Sequence, residues 1–152
     1  MASRDELFAR RRRPSEFRTE LPVLAVIMLG GVIGACARYG AERLWPPSEL
    51  EFPWTTLAIN VSGCALMGML IVAINEVWAG HHLLRPLLGI GVLGGYTTFS
   101  EFVGDVDTFA STGHWMRAAL YVTTTPLVAM VATWLAATLT HLVIIRRIPW
   151  RN

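Results

Sequence analysis

Four stretches of the chain, residues 21–37, 52–75, 86–100 and 118–145, contain no aspartate, glutamate, lysine or arginine. A helix needs roughly 20 predominantly apolar residues to cross a bilayer core. Three of the stretches meet or nearly meet that length; residues 86–100 fall short. The runs are too long for strands of a soluble sheet and lack period-two alternation. Barrel strands in membranes are about ten residues long and alternate, so that architecture is excluded too. In lipid every backbone N–H and C=O must be satisfied within the segment, so an all-α membrane protein with four transmembrane helices is expected. Several segments are rich in Thr, Val and Ile, poor helix formers in water. The backbone requirement outweighs that preference in lipid.

The charges that remain, 16% of the 152 residues, lie mostly outside these windows. The formal net charge is +2, and every basic residue is arginine. Six arginines crowd the start: Arg4, Arg10, Arg11, Arg12, Arg13 and Arg18. Nothing else basic extends this patch, so it reads as a solvated cytoplasmic tail and no nucleic-acid partner is expected. The apolar run that follows is long and has no small-residue cleavage site, which argues against a signal peptide. Residues 1–20 are therefore expected to be a disordered, Arg-rich tail, residues 21–146 a transmembrane domain, and residues 147–152 a short C-terminal tail. Cys36 and Cys64 sit in different windows without a CxxC spacing and read as small packing residues.

Along the chain, the first helix is expected to start near Leu21, with Pro22 tolerated in its first turn. Gly30 and Gly34 form a GxxxG pair that permits close approach of another helix. A loop with Pro46, Pro47 and Pro53 leads to a second helix from about Trp54 to Val77. His81 and His82 are adjacent on a loop, a poor geometry for metal ligation. The third element, Gly89 to Ser100, places Gly89, Gly91, Gly94, Gly95, Thr97 and Thr98 in an apolar stretch. It reads as a helix broken at mid-membrane, whose interrupted backbone lines a cavity or is buried in protein. A glycine-rich packing surface is the alternative. The fourth helix, about Arg117 to Ile145, carries a polar face near Tyr121, Thr124 and Thr125, and Pro126 is expected to kink it. Its threonine hydroxyls are expected to bond back to the i−4 carbonyl.

Three motifs then occur in order: Gly30 to Tyr39 (GGVIGACARY), Thr56 to Gly63 (TLAINVSG), and Gly94 to Ser100 followed by Phe102 (GGYTTFS-x-F). Together they resemble the small fluoride channels of the Fluc/CrcB family. The resemblance implies two oppositely oriented subunits of four helices each, forming an antiparallel dual-topology-type dimer with two fluoride pathways. It implies a fluoride-specific channel that exports fluoride from the cell across the plasma membrane, and no enzyme activity. A central sodium ion, structural and not transported, is implied at the third-helix break, held by the backbone carbonyls of Gly94 and Thr97. A hard cation suits such oxygen ligands. Asn60, Phe99, Phe102, Ser100 and Thr125 match the fluoride pore. An aromatic ring edge can meet an anion without a full charge that would trap it. Arg38 is expected at the vestibule mouth, concentrating anions. A Cβ at Gly94 is expected to block close approach at the break.

Two positions depart from the family pattern: Glu101 stands where threonine is usual, and Val128-Ala129 where Gly-Ser is frequent. A carboxylate beside an anion path repels fluoride unless it is paired or turned away. The alternative reading, a small four-helix proton-coupled multidrug exporter, needs a carboxylate deep in the first helix, where the first acid here is Glu42. An intramembrane enzyme would draw on Ser62, Ser100 or His141, with no base fixed beside either serine. With four spans, both termini share one side with ten arginines, against Arg38, Arg43 and Arg117 on the other. That bias predicts cytoplasmic termini. The partner is then either an identical chain or a related, oppositely inserted subunit, and both remain open.

Overall fold

The computed structural model describes residues 14–46, 51–78 and 81–147, and within them every regular element is helical. Helix α1 runs Pro14–Leu44, α2 Trp54–Glu76, α3 Arg85–Leu93, α4 Gly94–Tyr96, α5 Ser100–Ser111 and α6 Trp115–Arg147. Helix α1 begins at Pro14, earlier than the expected Leu21. The remainder of the expected tail, residues 1–13, and residues 148–152 lie outside the described residues.

Among the described residues, three helical stretches are long and apolar enough to cross a membrane: Glu20–Leu44, Trp54–Glu76 and Trp115–Ile144. The third apolar window is helical as well, but not as one continuous helix of that length. Its sequence divides among α3, α4 and the start of α5. Helix α3 is π-helical over nine residues. Such stretches are rare and usually a single turn. Pro86 lies in its first turn, and the Gly94 N–H bonds back to the carbonyls of Gly89 and Gly91. Thr97 then turns to extended backbone (φ −76°, ψ 155°) before α5 starts at Ser100.

Packing follows the small residues. Helix α1 lies on α3 and α4, α2 lies on α6, and α5 returns onto α6. A Cβ built on Gly91 would stand 2.9 Å from both the Gly30 Cα and the Ile27 carbonyl oxygen, and one on Gly95 would stand 2.5 Å from the Gly31 carbonyl oxygen. Gly30 and Gly31 of α1 therefore meet Gly91 and Gly95, Gly34 meets the Val92 and Tyr96 backbone, and backbone lies against backbone. Gly68 of α2 similarly faces the Thr133 backbone of α6.

The interior centres on Tyr121, fully buried, with its ring 5.0 Å from Phe102, 5.3 Å from Phe52 and 6.4 Å from Phe109. Most large apolar side chains point outward instead. None of the most hydrophobic window of α6 is buried within the chain, and only 11% and 17% of the corresponding windows of α1 and α2. Burial by lipid or by another protein surface is what such helices require.

Candidate functional site

The interruption between α4 and α5 is held by a side chain from another helix. The Asn60 amide of α2 donates from Nδ2 to the Thr98 carbonyl at 2.9 Å, and its Oδ1 accepts the Thr98 N–H at 2.8 Å. One residue thus satisfies both backbone polar groups of a buried threonine that has left the helical ladder. Thr98 Oγ1 accepts the Glu101 N–H at 3.3 Å. This is half of a capping box over Thr98 to Glu101, a spacing legible in the sequence but not singled out there. The other half is missing, because the Thr98 N–H is engaged by Asn60 and the Glu101 carboxylate turns elsewhere.

These diversions bear on the carbonyls of Gly94 and Thr97. In an uninterrupted helix the N–H groups of Thr98 and Glu101 would donate to those two carbonyls. Here they go to Asn60 Oδ1 and Thr98 Oγ1. The Thr97 N–H and hydroxyl both donate to the Leu93 carbonyl at 3.0 Å, closing the preceding turn. The side chain of Thr97 is thereby occupied while its carbonyl has lost its helical donor.

Beside the interruption lies a cleft of about 370 Å³ whose lining includes Asn60, Thr97, Phe99, Phe102 and Thr125. Of the expected pore residues, Asn60, Phe99, Phe102 and Thr125 come together here, from α2, the interruption, α5 and α6. Ser100 is exposed outside this lining, with its hydroxyl 3.3 Å from that of Thr98. The two phenylalanine rings are 5.8 Å apart and tilted by 38°. Phe99 is 76% exposed, whereas Phe102 rests on Tyr121. Thr125 is buried beside the Tyr121 hydroxyl, and its own hydroxyl makes no hydrogen bond within 3.5 Å. Thr123 and Thr124, by contrast, bond back to the Ala119 and Leu120 carbonyls, as expected of membrane threonines. The expected polar face therefore splits: Tyr121 and Thr125 point inward together, and Thr124 is satisfied on its own helix.

Arg38 does not stand free at a mouth. Its Nη1 pairs with the Glu101 carboxylate of α5 and, at 3.1 Å, with Glu42 of α1. The Arg38 Nε is buried without a partner. A smaller hollow, about 260 Å³, adjoins this pair and is lined by Glu42, Thr55, Thr56, Glu101, Gly104 and Asp105. Asp105 accepts the Tyr121 hydroxyl at 3.2 Å. Neither the buried Tyr121 hub nor its bond to Asp105 could be read from local spacing, since the two residues are sixteen apart on different helices. Ser62 bonds the Ile59 carbonyl and the Tyr96 hydroxyl, each at 3.1 Å, and His141 is exposed on α6. Cys36 and Cys64 are both free.

A family model described as CrcB-like protein, Camphor Resistance (CrcB), matches residues 25–137. The chain belongs to the CrcB-like family. A protein of Streptomyces coelicolor named fluoride-specific ion channel FluC 1 is 47% identical over 123 residues, covering 81% of this chain and 80% of that protein. Fluoride-specific ion channel FluC 2 of Streptomyces avermitilis is 47% identical over 114 residues, 75% of this chain and 72% of that protein. The fluoride-specific ion channel FluC of Saccharophagus degradans is 37% identical and covers 81% of this chain and 92% of its own length. These CrcB-like relatives are named as ion channels and not as enzymes. With three apolar helices of spanning length, the CrcB-like chain is a membrane protein.

Proposed function

We propose that this chain is a subunit of a fluoride channel that lowers cytoplasmic fluoride. The observation that carries the reading is the cleft at the α4–α5 interruption. It gathers Asn60, Phe99 and Phe102, which the motifs match to an anion path, with Thr125, which the resemblance places in register with its fourth-helix polar position. Its chemistry suits fluoride. The Thr125 hydroxyl is a donor with no hydrogen bond within 3.5 Å, and the two phenylalanine edges are weakly positive. Among the lining residues there is no lysine or arginine that would hold the ion too tightly for release. A potential negative inside favours anion exit by about 2.3 kcal/mol per 100 mV, so a passive pathway suffices for export.

The working unit in this proposal is an antiparallel dimer, in which lipid and a second subunit cover the exposed apolar faces. The third span is the α3–α4–α5 segment, broken at mid-membrane. A structural sodium ion fits the donor set at the interruption: the Gly94 and Thr97 carbonyls have lost their helical donors, and carbonyl oxygen is the ligand a hard cation prefers. The ion would supply fixed positive charge between the subunits.

Fluoride efflux from liposomes holding this chain, with chloride as the control anion, tests the reading. Efflux of fluoride without chloride is expected. Equal permeation of both anions, or none with any related subunit supplied, would falsify it.

A further inference from the structure

Glu101 is one of the two departures from the family pattern, and its carboxylate is bound to the one cation that was expected to recruit anions. Arg38 reaches from α1 to meet both Glu42 on its own helix and Glu101 on the first turn of α5. One guanidinium therefore faces two carboxylates. The adjoining hollow adds Asp105, so three carboxylates and no arginine line it. Its remaining lining, Thr55, Thr56 and Gly104, is uncharged. Arg43, next on α1, and Arg117, at the start of α6, are exposed and are not among the lining residues.

We infer that Glu101 sets the sign of this mouth. It cancels the charge of Arg38, ties the start of α5 to α1, and leaves the vestibule net negative instead of anion-attracting. A field of that sign lowers the local concentration of anions and raises that of cations, and salt screens the effect. For a fluoride pathway the consequence is slower anion entry from this side at low ionic strength. That consequence rests on the channel reading; the sign of the mouth does not.

A thiol reporter separates the two. Gly104 lines the hollow, is exposed, and has open space where a Cβ would stand. Gly104→Cys in a Cys36→Ser, Cys64→Ser background, in liposomes, is reacted with a cationic and with an anionic methanethiosulfonate. The ratio of the two rates is normalised to that for a free thiol. At about 0.01 M salt the normalised ratio is expected to exceed one severalfold, and at about 1 M to approach one. Glu101→Gln is expected to lower the low-salt ratio by about two- to fivefold, with a smaller effect in high salt. Glu101→Asp, which keeps the charge, is expected to preserve it. A merely structural role for Glu101 would not separate these two variants. A normalised ratio at or below one, or a ratio unmoved by Glu101→Gln, overturns the inference. Fluoride flux is measured in parallel on the chain with native Gly104. Glu101→Gln is expected to raise low-salt flux by a similar factor. Thiol rates that behave as expected beside absent flux would defeat the channel reading and leave the mouth charge standing.

Discussion

At the scale of single residues, Asn60 shows how one side chain can carry two readings. The motif assigns it to the pore, and the structure has its amide holding both backbone groups of Thr98. Asn60→Asp keeps the shape but replaces the donor with a second acceptor, which then faces the Thr98 carbonyl. A loss of about 1–3 kcal/mol of stability is expected, because a buried carbonyl loses its partner. Thermal unfolding in detergent measures it. A variant with unchanged melting and altered flux would mean that Asn60 serves the ion alone. The phenylalanines divide in the same way. Phe102 packs on Tyr121 at 5.0 Å and Phe99 is largely exposed within the subunit. Phe102→Ile is expected to cost about 0.5–1.5 kcal/mol more than Phe99→Ile from the lost aromatic contact, while both lower fluoride flux strongly. Equal stabilities, or flux unchanged in both, would contradict this assignment. The identities of these residues were legible from motif order. Which of them pack inside the subunit was not, because Tyr121 is brought to Phe102 only by the return of α5 onto α6.

At the scale of elements, the helices themselves were readable because lipid-length apolar runs leave the backbone few alternatives. The bounds of α2 and α6 fall within a few residues of their sequence expectation. The third element was readable as unusual but not in its form. Glycines and threonines signal an interruption, yet nothing local specifies that the preceding nine residues adopt a π-helix. Helix α3 lies on α1, a non-local contact. Within the subunit that contact does not close on Gly94. A Cβ there would meet only the Gly89 carbonyl oxygen, at an ordinary 3.8 Å. The tight positions are Gly91 and Gly95, whose added methyl groups would press on the backbone of Gly30 and Gly31. Backbone cannot yield as a flexible side chain does. Gly91→Ala and Gly95→Ala are each expected to cost at least about 1–3 kcal/mol through forced separation of α1 from the third element. Gly94→Ala is expected to remain near the parent protein. Size-exclusion profiles and melting temperatures of the three variants check the order. A Gly94 variant more damaged than the Gly95 variant would show that another surface closes over Gly94 in the assembly.

At the scale of the whole molecule, the exposed apolar faces and the arginines together bear on how the chain sits in the membrane. Few residues in the most hydrophobic windows of α1, α2 and α6 are fully buried within the chain, so their exposed apolar faces must be covered from outside it. Lipid can supply that for any orientation, and hydropathy is therefore silent on direction. The arginines are not. If α3, α4 and α5 together make one crossing, the termini and the α2–α3 loop share a side that holds ten arginines, and the other side holds three. Basic residues in short flanks are retained on the cytoplasmic side, while acidic residues count for little. A chain inserted in one direction is thus expected, with both termini inside. Asn152→Cys should then react with an impermeant thiol reagent only after permeabilisation, in a background lacking Cys36 and Cys64. Ser111→Cys, exposed at the end of α5, should react in intact cells. An antiparallel assembly of such chains requires a second, oppositely inserted subunit, and fluoride efflux is expected to rise when a related subunit is co-reconstituted. The imbalance lies almost wholly in the first eighteen residues. Without residues 1–20 the count is four against three, so the truncated chain should label from both sides. Equal labelling of the full-length chain from both sides would instead show that it inserts both ways and pairs with itself.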